Sequence, residues 1–245
     1  MIYVCEHHDA VLDVWRRDDV RGIRLAHVDF HDDLRGLLVD RRRGRAYPIR
    51  SMARVRSPVD PGNYLAHAVL ERRLDEVRWI HDIPGGRGWD TGVVHYESDL
   101  AVLPDRIRHA LSGRAEVPFR FEEVELCDWA GISAEELLSI DWDCFASVLQ
   151  DVDGIPERVA MFLSRLGPHV PPDTFICYSP DYSAPGQLAA FLDLVDQLAR
   201  RFDQPIEWMS PGLREGKLNP KGIYTGLPRS RLRRAVLYLR RRGLS

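Results

Sequence analysis

The sequence predicts an α/β fold, a mostly parallel sheet covered by helices, on three observations. Short apolar runs alternate with longer amphipathic ones, the pattern of strand–helix–strand units. The chain of 245 residues, 44% of them hydrophobic, has material for a full hydrophobic core in one or two domains. Glycine and proline punctuate the periodic runs, and no repeat or low-complexity linker separates them. A single domain over 1–245 is the economical reading.

The elements follow in order. Ile2–Cys5 reads as a strand, Ala10–Arg17 as a helix and Ile23–Phe30 as a second strand. A helix is expected over Pro61–Arg73 and a strand over Val77–His81. Pro104–Leu111 begins with a proline where the first helical position needs no N–H partner. Val117–Val124 and Leu137–Asp143 read as strands, and between them Ser133 with Glu136 has the spacing of a capping box. Helix Ile155–Leu166, strand Thr174–Tyr178, helix Gly186–Phe202 and strand Ile206–Met209 follow. Pro84–Gly88 and Ser210–Gly226 are loop text. Arg229–Arg241 closes the chain as a helix, and seven arginines over 229–242 surround its apolar centre Ala235–Leu239. That run reads as a solvated basic face. Its sharper reading is a docking surface for an acidic leader segment or a neighbouring subunit.

Composition excludes several classes. Lys+Arg 34 against Asp+Glu 37 gives net charge −3, no signature of a nucleic-acid or membrane partner. No apolar run approaches the roughly 18 residues that span a bilayer, and Met1–Cys5 lacks the pattern of a signal peptide. Cys5, Cys127, Cys144 and Cys177 include no pair at CxxC spacing, so they are expected reduced and mostly buried in a cytoplasmic protein.

The chemistry concentrates at three predicted strand ends: Glu6-His7-His8-Asp9, His27-Val28-Asp29-Phe30-His31-Asp32-Asp33 and Ser139-Ile140-Asp141-Trp142-Asp143. In an extended chain Asp29, His31 and Asp33 share one direction, as do Asp141 and Asp143. The carboxyl ends of parallel strands form the crevice where ligands bind. Four carboxylates there cannot all stay ionised in a partly dry site without compensation. Two divalent cations balance them, and a mixed carboxylate–imidazole set suits Mn²⁺ ahead of Fe²⁺ or Zn²⁺.

Asp29-x-His31-x-Asp33 and Ser139-x-Asp141-x-Asp143 resemble the two metal motifs of the arginase–deacetylase superfamily. The text is most similar to a small arginase-like group that includes the peptide arginases of ribosomal-peptide biosynthesis. Similarity runs through Glu6–Leu12, His27–Leu34, Gly62-Asn63-Tyr64, Trp79-Ile80-His81, Ser139–Phe145 and Ser179–Pro185. The resemblance implies a three-layer α/β/α sandwich with a dimetal site at the carboxyl edge of its sheet. It implies one metal held by His8, Asp29, Asp33 and Asp141, and a second held by His31, Asp29, Asp141 and Asp143. His8 fits the spacing better than His7. The chain departs from ordinary arginases at Cys5-Glu6-His7 and at Ala146, where they carry a further aspartate.

The activity implied is hydrolysis of an arginine side chain, within a precursor peptide, to ornithine and urea. Asp33 is the expected proton carrier. Asp181, after the strand at Thr174, is the expected bidentate partner of the guanidinium, or else a turn-forming aspartate. Asn63 is a candidate substrate contact or a helix cap. His67 and His81 are candidate proton-transfer residues, with ordinary packing and support of a metal ligand as their alternatives. Hydrolysis of a small guanidino compound, amide deacetylation and metal-dependent peptide binding without turnover stay open as other readings, as does homo-oligomerisation.

Overall fold

Alternation along buried strands sorts the apolar residues into two cores, one on each face of a central sheet. The computed structural model describes residues 1–41, 43–48, 58–82, 116–147 and 151–220. The chain begins with β1 (Ile2–Cys5), α1 (Ala10–Arg17), β2 (Ile23–Val28), β3 (Leu37–Asp40) and β4 (Arg45–Pro48). It continues through α2 (Tyr64–Leu70), β5 (Leu74–His81), β6 (Val117–Pro118), β7 (Arg120–Glu125) and β8 (Leu137–Asp141). The remainder is α3 (Asp143–Ala146), α4 (Ile155–Arg165), β9 (Thr174–Cys177), α5 (Leu188–Phe202), β10 (Ile206–Trp208) and α6 (Pro211–Arg214). Seven strands form the main sheet in the order β10-β1-β9-β8-β2-β5-β7, and every pairing in it is parallel.

Tyr3, Cys5, Leu25, Val77 and Phe175 face one core with Val11, Leu12 and Trp15 of α1 and Tyr64, Leu65 and Ala68 of α2. Ile2, Val4, Ala26, Val28, Ile140 and Ile176 face the other with Phe162 of α4 and Phe191, Leu194 and Leu198 of α5. The result is an α/β fold with helices on both sides of a parallel sheet, an arrangement compatible with three layers. Helix α1 has no side-chain cap and is held by its apolar face, Val11, Leu12, Val14 and Trp15. Truncating the buried Trp15 to alanine would cost about 3–5 kcal/mol. No helix among the described residues is long and apolar enough to cross a membrane.

Several elements differ from the sequence reading. The expected strand Val117–Val124 is two strands: β6 pairs with β4 in a small antiparallel sheet, and β7 pairs with β5. Pro118 has no N–H to give, and the Phe119 N–H goes to Gly44 O, so the chain changes sheets there. The β3–β4 hairpin was not anticipated, because Asp40, Arg45 and Pro48 interrupt its apolar text. Helix α2 starts three residues later than expected and ends before Arg72, whose φ is +56°. Ser133 and Glu136 do form half of a capping box, with the Ser133 N–H donating to Glu136 Oε2 at 2.8 Å, but it closes a turn into β8 and not a helix. Glu136 also takes a buried bidentate contact from Arg78, which ties that turn to β5. Cys5, Cys144 and Cys177 are buried free thiols, and Cys127 is exposed. The Pro84–Gly88 loop, the Pro104–Leu111 helix and the basic 229–242 segment lie outside the described residues.

Candidate metal centre

The strand order brings together residues far apart in sequence. Strands β1, β9, β8 and β2 are consecutive neighbours and parallel, so their carboxyl ends lie side by side. His8 follows β1, Ser179 follows β9, Asp141 ends β8 and Asp29 follows β2. The extended geometry expected for Asp29–Asp33 and Asp141–Asp143 is not what aligns their carboxylates. Strand β2 stops at Val28, and the chain turns through Phe30–Asp33, with Asp33 in the left-handed region at φ +53°. Non-glycine residues adopt that conformation at a cost that surrounding structure must outweigh, as at functional sites. Here the turn is pinned by the Trp79 indole N–H on Asp29 O at 3.0 Å and the His31 N–H on Asp29 Oδ1 at 2.7 Å. Strand β8 stops at Asp141, and Asp143 opens α3, where its Oδ1 accepts the Phe30 N–H at 3.3 Å.

Two groups result, joined at Asp29. In the first, His8 Nδ1 lies 3.1 Å from Asp29 Oδ2, 3.3 Å from Asp33 Oδ2 and 3.3 Å from Asp141 Oδ2. In the second, His31 Nδ1 lies 2.9 Å from Asp143 Oδ2 and 3.7 Å from Asp29 Oδ1. Asp29 therefore presents one oxygen to each group. The other nitrogen of His8 is hydrogen-bonded to Ser139 Oγ at 3.1 Å, and that hydroxyl also meets the Tyr64 hydroxyl at 3.3 Å. This fixes the ring with Nδ1 towards the carboxylates, the usual way an outer contact orients a metal-binding imidazole. Ser179 Oγ donates to Asp141 Oδ2 at 2.5 Å.

Burial makes the arrangement costly by itself. His8 Nδ1, Asp29 Oδ2, Asp33 Oδ2 and Asp143 Oδ2 are buried without a hydrogen-bond partner among the described residues. Buried polar atoms are nearly always partnered, so four orphans converging on one place fit a cation-binding site. Burial and repulsion from Asp143 and Asp29 push the Asp141 carboxyl well above its ordinary range, and burial with Asp29 does the same to Asp33. Asp143 is pushed up to about 6 by burial and Asp29. Asp29 stays well below its ordinary range: burial opposes its charge, but the imidazoles around it prevail. The ligand atoms of His8, His27 and Asp29, and those of Asp29, His31 and Asp143, each lie within 4.8 Å of one another, as holding a metal ion requires. Glu125, Cys127 and Asp128 meet the same distance limit, but they are exposed to water, where such acidic groups are common without an ion.

The other sequence candidates divide. His7 turns away from the carboxylates, its Nε2 meeting the Asn219 carbonyl at 2.9 Å, while Glu6 accepts the Asn219 N–H. His81 is buried at the end of β5, hydrogen-bonded to Glu123 Oε1 at 3.2 Å and packed on Trp79. Asn63 precedes α2 but makes no cap bond: its Oδ1 accepts the Asp60 N–H at 2.8 Å and its amide donates to Pro58 O at 3.0 Å. His67 lies on α2 among Arg16, Glu71 and Asp60, outside both groups, and burial lowers its pKa. Asp181 is half-buried in the turn after Ser179, next to Tyr182, whose ring packs edge-on against His31 at 5.2 Å. The residue missed is His27. It opens the ligand-rich run His27–Asp33, but the resemblance gave it no role, and only the neighbouring strands show what its ring faces. No family model matches this chain, and no curated protein matches it.

Proposed function

We propose that this chain is a dinuclear-metal hydrolase that converts arginine side chains in a peptide to ornithine with release of urea. The observation that carries it is the pair of buried ligand groups sharing Asp29, with His8, Asp33 and Asp141 on one side and His31 and Asp143 on the other. Asp141, with its Oδ2 at His8 Nδ1 and its Oδ1 on the Asp143 N–H at 3.3 Å, would contribute to the first group, and its place in the second rests on the resemblance of the motifs. Carboxylates outnumber imidazoles in this set, which suits Mn²⁺. Divalent ions held there supply Lewis acidity and a water acidified towards neutral pH.

The chain's own residues supply the rest. Guanidinium is resonance-stabilised and cationic, so its cleavage needs a held substrate and a proton for the departing amine. Asp33 fits the proton role by position, its Oδ2 being buried beside His8 Nδ1 at 3.3 Å. Asp181 is the carboxylate outside both groups that suits a guanidinium, through paired N–H···O contacts. His81, oriented by Glu123, supports the edge next to Asp29, one position beyond the Val28–Ile80 pairing. Peptide over free arginine rests on the resemblance of the motifs.

The test compares urea release from an internal-arginine peptide, free arginine and agmatine with Mn²⁺ present. The expected result is the highest kcat/KM for the peptide. A higher value for free arginine or agmatine would make this a small-molecule amidinohydrolase. Release of a carboxylic acid from an acylated amine, without urea, would make it a deacetylase, and metal-dependent peptide binding without any release would make it a binding module.

A further inference from the structure

We propose that His27 is itself a ligand of the first metal, giving that site two imidazole nitrogens where the family resemblance provides one. The inference rests on the dimetal reading and extends its ligand set.

His27 is wholly buried in β2, opposite Ser139 of β8 and Trp79 of β5. Neither of its ring nitrogens has a hydrogen-bond partner among the described residues. A histidine used only for packing would give at least one nitrogen to a backbone carbonyl or hydroxyl, because leaving both dry is costly. Nor does His27 act as an outer support, since a supporting imidazole makes an aligned hydrogen bond to the ligand it orients. Its Nε2 stands 3.3 Å from Asp29 Oδ2 and 3.6 Å from Asp33 Oδ2, aligned with neither. Those two oxygens stand 3.1 and 3.3 Å from His8 Nδ1, again without alignment.

Such distances have a simple source. Donor atoms about 2.1 Å from a shared ion in tetrahedral or octahedral array are about 3.0–3.4 Å from each other. The separations from the two imidazoles to the carboxylates, 3.1 to 3.6 Å, fall in or just beyond that band. The donor atoms of His8, His27 and Asp29 all lie within 4.8 Å of one another, as atoms around a shared ion do, and no hydrogen bond joins them among the described residues. The rings of His8 and His27 lie 5.4 Å apart and tilted, with Tyr64 against both, so the packing holds both nitrogens in place.

The chemical consequence is that the two sites are unequal. The first has His8 and His27 with its carboxylates, and the second has His31 alone with Asp29 and Asp143. A second imidazole favours Co²⁺ and Zn²⁺ over Mn²⁺, so the first site should select the more nitrogen-seeking ion.

Cobalt loading tests this without an activity assay. Wild-type chain should bind two Co²⁺, and Zn²⁺ should displace one from a Mn²⁺-loaded sample at roughly tenfold lower concentration than the other. His27→Gln should weaken one ion by about tenfold or more and change the visible cobalt spectrum. His27→Asp, which restores a donor as oxygen, should recover binding with its preference moved towards Mn²⁺. The proposal is overturned by a folded His27→Gln with wild-type affinity and spectrum, or by Zn²⁺ displacing both wild-type ions together. In either case the dimetal reading would survive. A wild-type chain that binds no metal at all would remove both.

Discussion

The two ends of the central sheet carry charge in opposite ways. At the carboxyl end, Asp29, Asp33, Asp141 and Asp143 are buried with His8 and His27, and one oxygen each of Asp29, Asp33 and Asp143 lacks a hydrogen-bond partner among the described residues, as do His8 Nδ1 and both His27 nitrogens. At the amino end, Arg24, Arg43, Arg45, Arg72 and Arg120 line an open cavity of about 1020 Å³ with Asp75 and Glu76. The charges there are in large part exposed to water. Arg24 divides between Glu76 at 3.5 Å and Glu135 at 3.4 Å, and Arg45 reaches Glu116 only at 3.8 Å. Water and mobile ions screen such groups, so their arrangement commits the protein to little. The buried carboxylates have no such recourse: they must take up protons or a cation. Burial, not the number of charges, is what makes one end able to hold an ion.

The sharpest way to break this contrast is Asp29→Asn. Because Asp29 belongs to both groups, metal content by elemental analysis should fall from about two ions per chain to nearly none, and urea release should vanish with it. Retention of even one tightly held ion would show that the groups are independent.

Lowering pH should act next most strongly, and only at the buried end. Asp143 has a folded pKa of about 6, above the ordinary value of 3.8, so its contribution to metal-free stability is present at low pH and lost as pH rises through 6. A cation reverses that loss by replacing the proton. Burial and neighbouring carboxylates also raise the pKa of Asp33 and Asp141, and neighbouring carboxylates raise that of His8 and His31 against the effect of burial. Mn²⁺ affinity should therefore be weaker at pH 5 than at pH 7 by about tenfold or more, and the rise in melting temperature on adding Mn²⁺ should be larger at pH 7.5 than at 5.5. His27, held neutral by burial with a pKa of about 4, does not compete for protons in this window. An equal Mn²⁺ effect at both pH values would contradict the assignment.

Ser139→Ala removes the hydroxyl that orients His8 and leaves every proposed ligand in place. Isothermal titration should show metal binding weakened by about 10–100-fold. At the wet end, Arg43→Ala and Arg120→Ala should leave metal content unchanged and shift unfolding free energy by no more than about 0.5 kcal/mol in a urea melt. A larger change would show those arginines to be more than solvated charge.

The sequence by itself determined the alternation of strands and helices, the buried strand text and the presence of His8, Asp29, His31, Asp33, Asp141 and Asp143 at strand ends. These are local properties, written as periodicity and composition within a few residues. It did not determine the hairpin of β3 and β4 or the break at Phe119, because pairing partners and sheet changes are set by contacts between distant segments. It also misjudged how the carboxylates converge. Strand alternation suggested a shared direction for Asp29, His31 and Asp33, whereas a tight turn with Asp33 left-handed brings them together. The motif spacing favoured His8 over His7, and tertiary structure supplied the physical reason, since the His8 ring reaches Ser139 and the His7 ring reaches Asn219, residues more than a hundred positions away. Tertiary structure alone brought out His27: the sequence placed this residue in the ligand-rich run His27–Asp33 but could not show that both of its ring nitrogens are buried without a hydrogen-bond partner among the described residues, because that depends on the strands packed beside it.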